Sequence, residues 1–232
     1  MVTAARIPMN MAQRRIRIRT PMPIDEKLLT LAQWLSPSYP VGAFAWSHGV
    51  ETAVRSGWIT DGQSLEDWLR VCLTEGSGRA DALWLRLAHD GPAEEIDTEA
   101  RAFAASAERI REAARQGAAF AQVTNAVWGL SLRDHVLPVA VGRAVREAEL
   151  DVDTALLLYL QSFLTNLVSA AQRLMPLGQT EAQRILAALR PDIADVVEQT
   201  RGQTKDDIFS NAFLSDIAAM RHETLEPRLF QS

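Results

Sequence analysis

From residue 25 onward the apolar residues recur at the spacing of an α-helix, and no stretch shows the alternation of a strand. That pattern confines the chain to helix-on-helix packing: an all-α, single-domain bundle of about eight to ten helices over residues 25–232. Leu28, Leu31, Ala32 and Leu35 fall at i, i+3, i+4 and i+7. Ser36-Pro37-Ser38-Tyr39-Pro40 stops them, because proline removes a donor and restricts its predecessor. A second helix should carry Trp46, Val50, Ala53 and Val54 and end near Gly57. Ser64 with Asp67 reads as the capped start of a third, whose apolar face is Leu65, Trp68, Leu69, Cys72 and Leu73. Leu83, Trp84, Leu87 and Ala88 extend the pattern to Gly91-Pro92. Phe103, Ala107, Ile110 and Ala114 mark a long helix with a break near Gly117. Pro138 suits the first turn of another, which runs to about Glu149.

Asp151 or Asp153 can cap the most apolar helix, Thr154 to Met175. Its polar stripe, Ser162, Thr165, Asn166, Ser169, Gln172 and Arg173, would face a subunit interface, plain surface or a wet channel. Thr180 and Gln183 fit a capping box for a helix that ends at Arg190-Pro191, with short helices at 192–201 and about 211–224. Ahead of this bundle, residues 1–24 read as a flexible basic arm, with Arg14-Arg15-Ile16-Arg17-Ile18-Arg19 and no acid before Asp25. The arm lacks the apolar region of a secretory signal, although composition alone also fits an organelle presequence.

Charge and cysteine usage narrow the function classes. A net charge of −5 argues against a dedicated nucleic-acid binder. One cysteine, Cys72, excludes an intramolecular disulfide and suits a reducing, cytoplasmic setting. Its apolar neighbours mark it as a structural thiol. The apolar run around Ala155–Leu160 is interrupted by Gln161 and Ser162, short of a membrane span.

Enzyme signatures are missing. Neither Lys27 nor Lys205 follows a glycine, so there is no P-loop, and no nucleophile elbow or dinucleotide fingerprint occurs. One cysteine cannot build a thiolate cluster, and no cofactor is implied. His48 with Glu51, three apart on an expected helix, and His222 with Glu223 are the only metal-like pairs, more simply read as hydrogen-bonded histidines. Two segments resist a packing explanation. Ser36 to Phe44 is stiff and aromatic for a helix connection, and the end of the sequence keeps Leu225, Arg228, Leu229 and Phe230 where chain ends are normally polar. Such a tail should be mobile alone and order against a partner.

These segments resemble the UreF family of urease accessory proteins. Ser-Pro-Ser-Tyr-Pro-Val-Gly-Ala-Phe-Ala-Trp-Ser-His-Gly-Val-Glu over 36–51 is similar to that family's opening signature. Pro176-Leu177-Gly178-Gln179-Thr180 with Gln183-Arg184 is similar to a second, and Arg221-His222-Glu223-Thr224 with Arg228-Leu229-Phe230-Gln231-Ser232 to the closing one. Ala43 replaces a common second glycine, and Glu226-Pro227 replaces a more usual Tyr-Ser. The resemblance implies a non-enzymatic urease-maturation chaperone, an all-α homodimer. It would bridge UreD (also called UreH), which contacts the urease apoprotein, and the nickel-carrying GTPase UreG, so that nickel is inserted into urease. It places partner-binding residues at Tyr39, Pro40, Gly42, Phe44, Arg221, His222, Glu223, Leu225, Arg228, Leu229 and Phe230. Phe44 and Arg228 align with positions that recruit the GTPase. A helical ligand-binding or regulatory scaffold unrelated to urease is the alternative.

Overall fold

The computed structural model describes residues 24–232, and among them every regular element is helical. The basic-arm expectation falls on residues outside that range. Eleven α-helices follow one another: α1 (Ile24–Trp34), α2 (Val50–Arg55), α3 (Gly62–Thr74), α4 (Ser77–Asp90), α5 (Ala93–Phe103), α6 (Ala107–Trp128), α7 (Leu137–Glu147), α8 (Val152–Leu174), α9 (Gln179–Ala188), α10 (Arg190–Gln199) and α11 (Phe213–His222). Short 3₁₀ turns occupy Ala43–Ala45 and Lys205–Asp207.

The most apolar helix takes the centre. α8 packs against α1, α2, α3, α4, α7, α9 and α10. Leu156, Leu160 and Leu164 on it are fully buried, each contributing about 1.5–3 kcal/mol through apolar burial. By length and composition α8 could cross a bilayer, but half of its most apolar window is buried inside the bundle, as in a core helix. Asp151 is its cap, accepting the Thr154 N–H at 2.7 Å. Cys72 lies in the same core, where burial pushes its thiol up to about 11.

Several local expectations are corrected. Asp61, not Ser64, caps α3: the Ser64 N–H donates to Asp61 Oδ1 at 2.9 Å, and the Ser64 hydroxyl accepts from the Asp61 N–H at 3.0 Å. Trp46 and His48 precede α2 instead of lying on it, and His48 has a left-handed φ of 56°. No capping box forms at Thr180 and Gln183; α9 starts after Gly178 without a side-chain cap. Pro191 sits in the first turn of α10, so it starts that helix more than it ends α9.

The chain also breaks at Ala104 to Ser106, not near Gly117. α6 runs unbroken through Gly117, where an added Cβ would lie 2.0 Å from the His135 carbonyl oxygen. The missing side chain lets α6 pass against the entrance to α7. The buried face of α6 differs from the one expected: Glu108, Glu112, Gln116, Phe120 and Thr124 point inward, while Phe103 on α5 is 38% exposed.

Candidate functional site

The opening and closing signature segments fold onto each other over the first turns of α6. Glu51, in the first turn of α2, is fully buried. Its carboxylate accepts the backbone N–H of Leu229 at 2.8 Å and of Phe230 at 2.9 Å. Arg55, one turn on, pairs with it at 3.0 Å and donates to the Pro227 carbonyl. His222, at the end of α11, is likewise fully buried. Its Nε2 lies 3.2 Å from Glu51 and its Nδ1 2.8 Å from Glu108. The other oxygen of Glu108 accepts from Arg228 at 2.7 Å. Glu223 caps α6 by accepting the Ala107 N–H at 2.9 Å. Two backbone bonds finish the docking, Gln231 N–H to the Ala45 carbonyl and Ser47 N–H to the Ser232 carbonyl, each 2.8 Å.

Burying two carboxylates is costly unless charge and hydrogen bonds compensate. Here they do. Burial alone would raise the Glu51 carboxyl, but the N–H groups of Leu229 and Phe230, with His222 and Arg55, outweigh it and hold it below its ordinary value. The His222 ring can donate to both carboxylates only with hydrogen on both nitrogens.

A second polar cluster adjoins the first. Glu112 pairs with Arg109 and accepts from the Ser232 hydroxyl at 3.2 Å. Burial favours its neutral form, yet Arg109 and His48 hold its carboxyl near about 2. His48 lies 2.6 Å from the Ser77 hydroxyl, and burial, aided by Arg109, lowers its ring to about 4. Burial also raises the Asp81 carboxyl to about 6, partly offset by Arg109 and by Tyr159, whose hydroxyl donates at 2.8 Å. Cavities of about 70 and 80 Å³ flank these groups, the first lined also by Ser162 and Asn166 of the α8 stripe.

Above the junction lies an exposed strip. Phe44 is 56% exposed and Leu229 53%, with Arg228 beside Leu229 in the chain. Arg173 ties the strip together: it donates to the Phe44 carbonyl at 2.9 Å and stacks over the Phe230 ring at 4.3 Å. The outer face of α11 adds Phe213, Leu214, Ile217 and Met220, all exposed.

The residues singled out from sequence fall into two groups. Pro40, Gly42, Phe44, Arg221, Glu223, Arg228 and Leu229 are exposed, and Leu225 is half-buried. Tyr39, His222 and Phe230 are buried, so within this chain they anchor the segments. Tyr39 packs on Phe120 and Trp128, with its hydroxyl 2.9 Å from Thr124. Residues 227–232, expected to order against a partner, make their bonds within this chain to Glu51, Arg55, Ala45 and Ser47. His48 and Glu51 share no helical face, and His222 and Glu223 diverge. Among the described residues no group of three or more His, Cys, Asp or Glu is placed to hold a metal ion. Sequence reasoning missed Glu108, Glu112 and Arg109. Their signal was a run of acids four residues apart, Glu108 to Glu112, continuing to Gln116.

Comparison with known proteins identifies the family of the chain as a whole. The UreF family model matches residues 59–190. A urease accessory protein UreF of Roseobacter denitrificans is 45% identical over 210 residues, covering 89% of this chain and 95% of the relative. That of Ruegeria sp. strain TM1040 is 50% identical over 212 residues, covering 90% and 99%. One from Cereibacter sphaeroides strain ATCC 17025 is 47% identical over 210 residues, covering 90% and 100%. The chain belongs to the UreF family of urease accessory proteins.

Proposed function

We propose that this chain is a non-enzymatic, cytoplasmic assembly factor that works with UreD/UreH and the GTPase UreG to build the complex delivering nickel into the urease active site. The observation that carries the reading is the apolar face of α11. Phe213, Leu214, Ile217 and Met220 stand exposed at 67%, 54%, 38% and 51%. Side chains spaced i, i+1, i+4 and i+7 form one stripe, and a stripe of that kind marks a docking surface more than a solvated face. We assign it to UreD, and the neighbouring strip of Phe44, Arg228 and Leu229 to UreG. A second exposed apolar group, Leu28 and Leu29 on α1 with Leu157 on α8, suits the homodimer, because α1 and α8 pack together.

Copurification tests the reading. Ile217→Asp places a charge in the middle of the stripe at a position that is not core, so the fold should persist while the complex with UreD is lost. Retention of UreD by a folded Ile217→Asp chain would refute the assignment of this face.

A further inference from the structure

The tail adopts an inside-out alternation although it belongs to no helix. Arg228 and Leu229 are exposed, Phe230 is buried, Gln231 is exposed and Ser232 is buried. A slip of one residue would put Leu229 or Gln231 in the seat of Phe230. The bonds from Gln231 to Ala45 and from Ser47 to Ser232 join backbone to backbone, and a slipped tail could remake them with different partners. Other side chains hold the tail at single points, Glu108 at Arg228, Arg115 at Gln231 and Glu112 at Ser232, whereas Glu51, fixed to α2, takes two successive backbone N–H groups and is surrounded by donors. One oxygen faces the Leu229 N–H and Arg55; the other faces the Phe230 N–H and the His222 ring. α2 is in turn seated on α11 at Gly49, whose φ is 81° and whose added Cβ would lie 3.1 Å from Ala218.

We propose that Glu51 is a positioning residue for partner recruitment. Its carboxylate sets the register of residues 228–230, so that Arg228 and Leu229 reach the surface beside Phe44 while Phe230 seats under Arg173. The inference rests on the reading that this strip recruits the GTPase. It adds that recruitment depends on a buried group no partner could touch. It also makes the junction a coupling point, since the same carboxylate holds His222 at the end of the α11 face assigned to UreD.

Glu51→Gln is the sharpest probe. The amide keeps the size of the side chain, but whichever way it turns, an NH₂ group meets donors. In the full chain, hydrogen exchange at the Leu229 and Phe230 amides should accelerate at least about tenfold, while the Leu160 and Val168 amides of α8 keep their protection. Recruitment of UreG to the complex with UreD should weaken about tenfold or more. Adding Arg228→Ala to Glu51→Gln should then cost little beyond the single change, because both remove one presented surface. Unchanged protection at residues 229 and 230 would overturn the proposal, as would equal loss throughout α8. Loosened amides with normal recruitment, while Arg228→Ala fails to recruit, would overturn it and leave the recruiting strip intact. Normal recruitment by both Arg228→Ala and Phe44→Ala would remove the strip itself, and the proposal with it. Should Glu51→Gln not fold, Leu229→Pro against Leu229→Ala replaces it: only proline deletes the N–H that Glu51 accepts, so equal recruitment by the two would also overturn the proposal.

Discussion

Around α8, the space is filled by Leu156, Leu160 and Leu164; around residue 222, space just as dry is filled by Glu51, Glu108 and His222. The two regions exclude water equally and hold together by different physics. Apolar burial has no direction, so the α8 core fixes how much is buried and leaves orientation to packing. Hydrogen bonds to buried carboxylates have direction and a severe cost when unmade, so the junction under the tail fixes where each backbone segment lies. A chain that needs only to fold gains little from the second arrangement, because a buried ion pair is seldom more stabilising than an apolar replacement. A chain that must present two distant segments in one fixed relation has a use for it.

The largest effect should come from breaking the junction. Glu108→Ala leaves His222 and Arg228 without their shared carboxylate, which should cost about 3–5 kcal/mol. Leu160→Ala in the core should cost about 2–5 kcal/mol. The comparison turns on what else changes. At a temperature where both variants are folded, Leu160→Ala should still bind UreD and UreG, and Glu108→Ala should not. Equal binding by the two folded variants would erase the distinction between the regions.

Acidification acts next on the second polar cluster, which adjoins the junction. The His48 ring, lowered to about 4, contributes stability that is complete above its unfolded value of 6.5 and is lost as pH falls toward 4. The Asp81 carboxyl, raised to about 6, contributes in the opposite sense: its part is complete below 3.8 and is lost as pH rises through 6. Between pH 6 and 4 the two oppose each other. Asp81→Asn removes one of them, so the unfolding free energy of that variant, from denaturant titrations, should fall on acidification by up to about 1.4 kcal/mol per pH unit more steeply than that of the parent. Parallel pH profiles would mean that Asp81 does not titrate in this window.

How much of this was legible in the sequence follows the same division. The α8 core was readable because Leu156, Leu160 and Leu164 obey the helical period, and Asp151 stood where a cap belongs. The junction was not, because its buried face on α6 is made of Glu108, Glu112 and Gln116, which a hydrophobicity pattern assigns to solvent. Phe103, apolar yet partly exposed, shows the same inversion, and Pro191 lies in the first turn of α10 because a proline that ends one helix can equally start the next. Resemblance found the segments at 36–51 and 221–232, but not that one carboxylate joins them. The period could not place Phe44, which lies outside the α-helices and is exposed at the surface.

The smallest expected effect on stability is therefore the most informative about function. Phe44→Ala removes a ring that is 56% exposed, so the thermal midpoint should move by no more than about 0.5 kcal/mol would allow. Exposed aromatic residues beside an arginine are frequent interface hot spots, and truncating one costs about 2 kcal/mol or more, near 30-fold in affinity. The direct measurement is a titration of UreG into the preassembled complex of this chain with UreD, comparing the parent with Phe44→Ala. The account predicts an unchanged melting curve, unchanged assembly with UreD, and affinity for UreG lower by about 30-fold or more. Full affinity for UreG in a complex built on Phe44→Ala would contradict it.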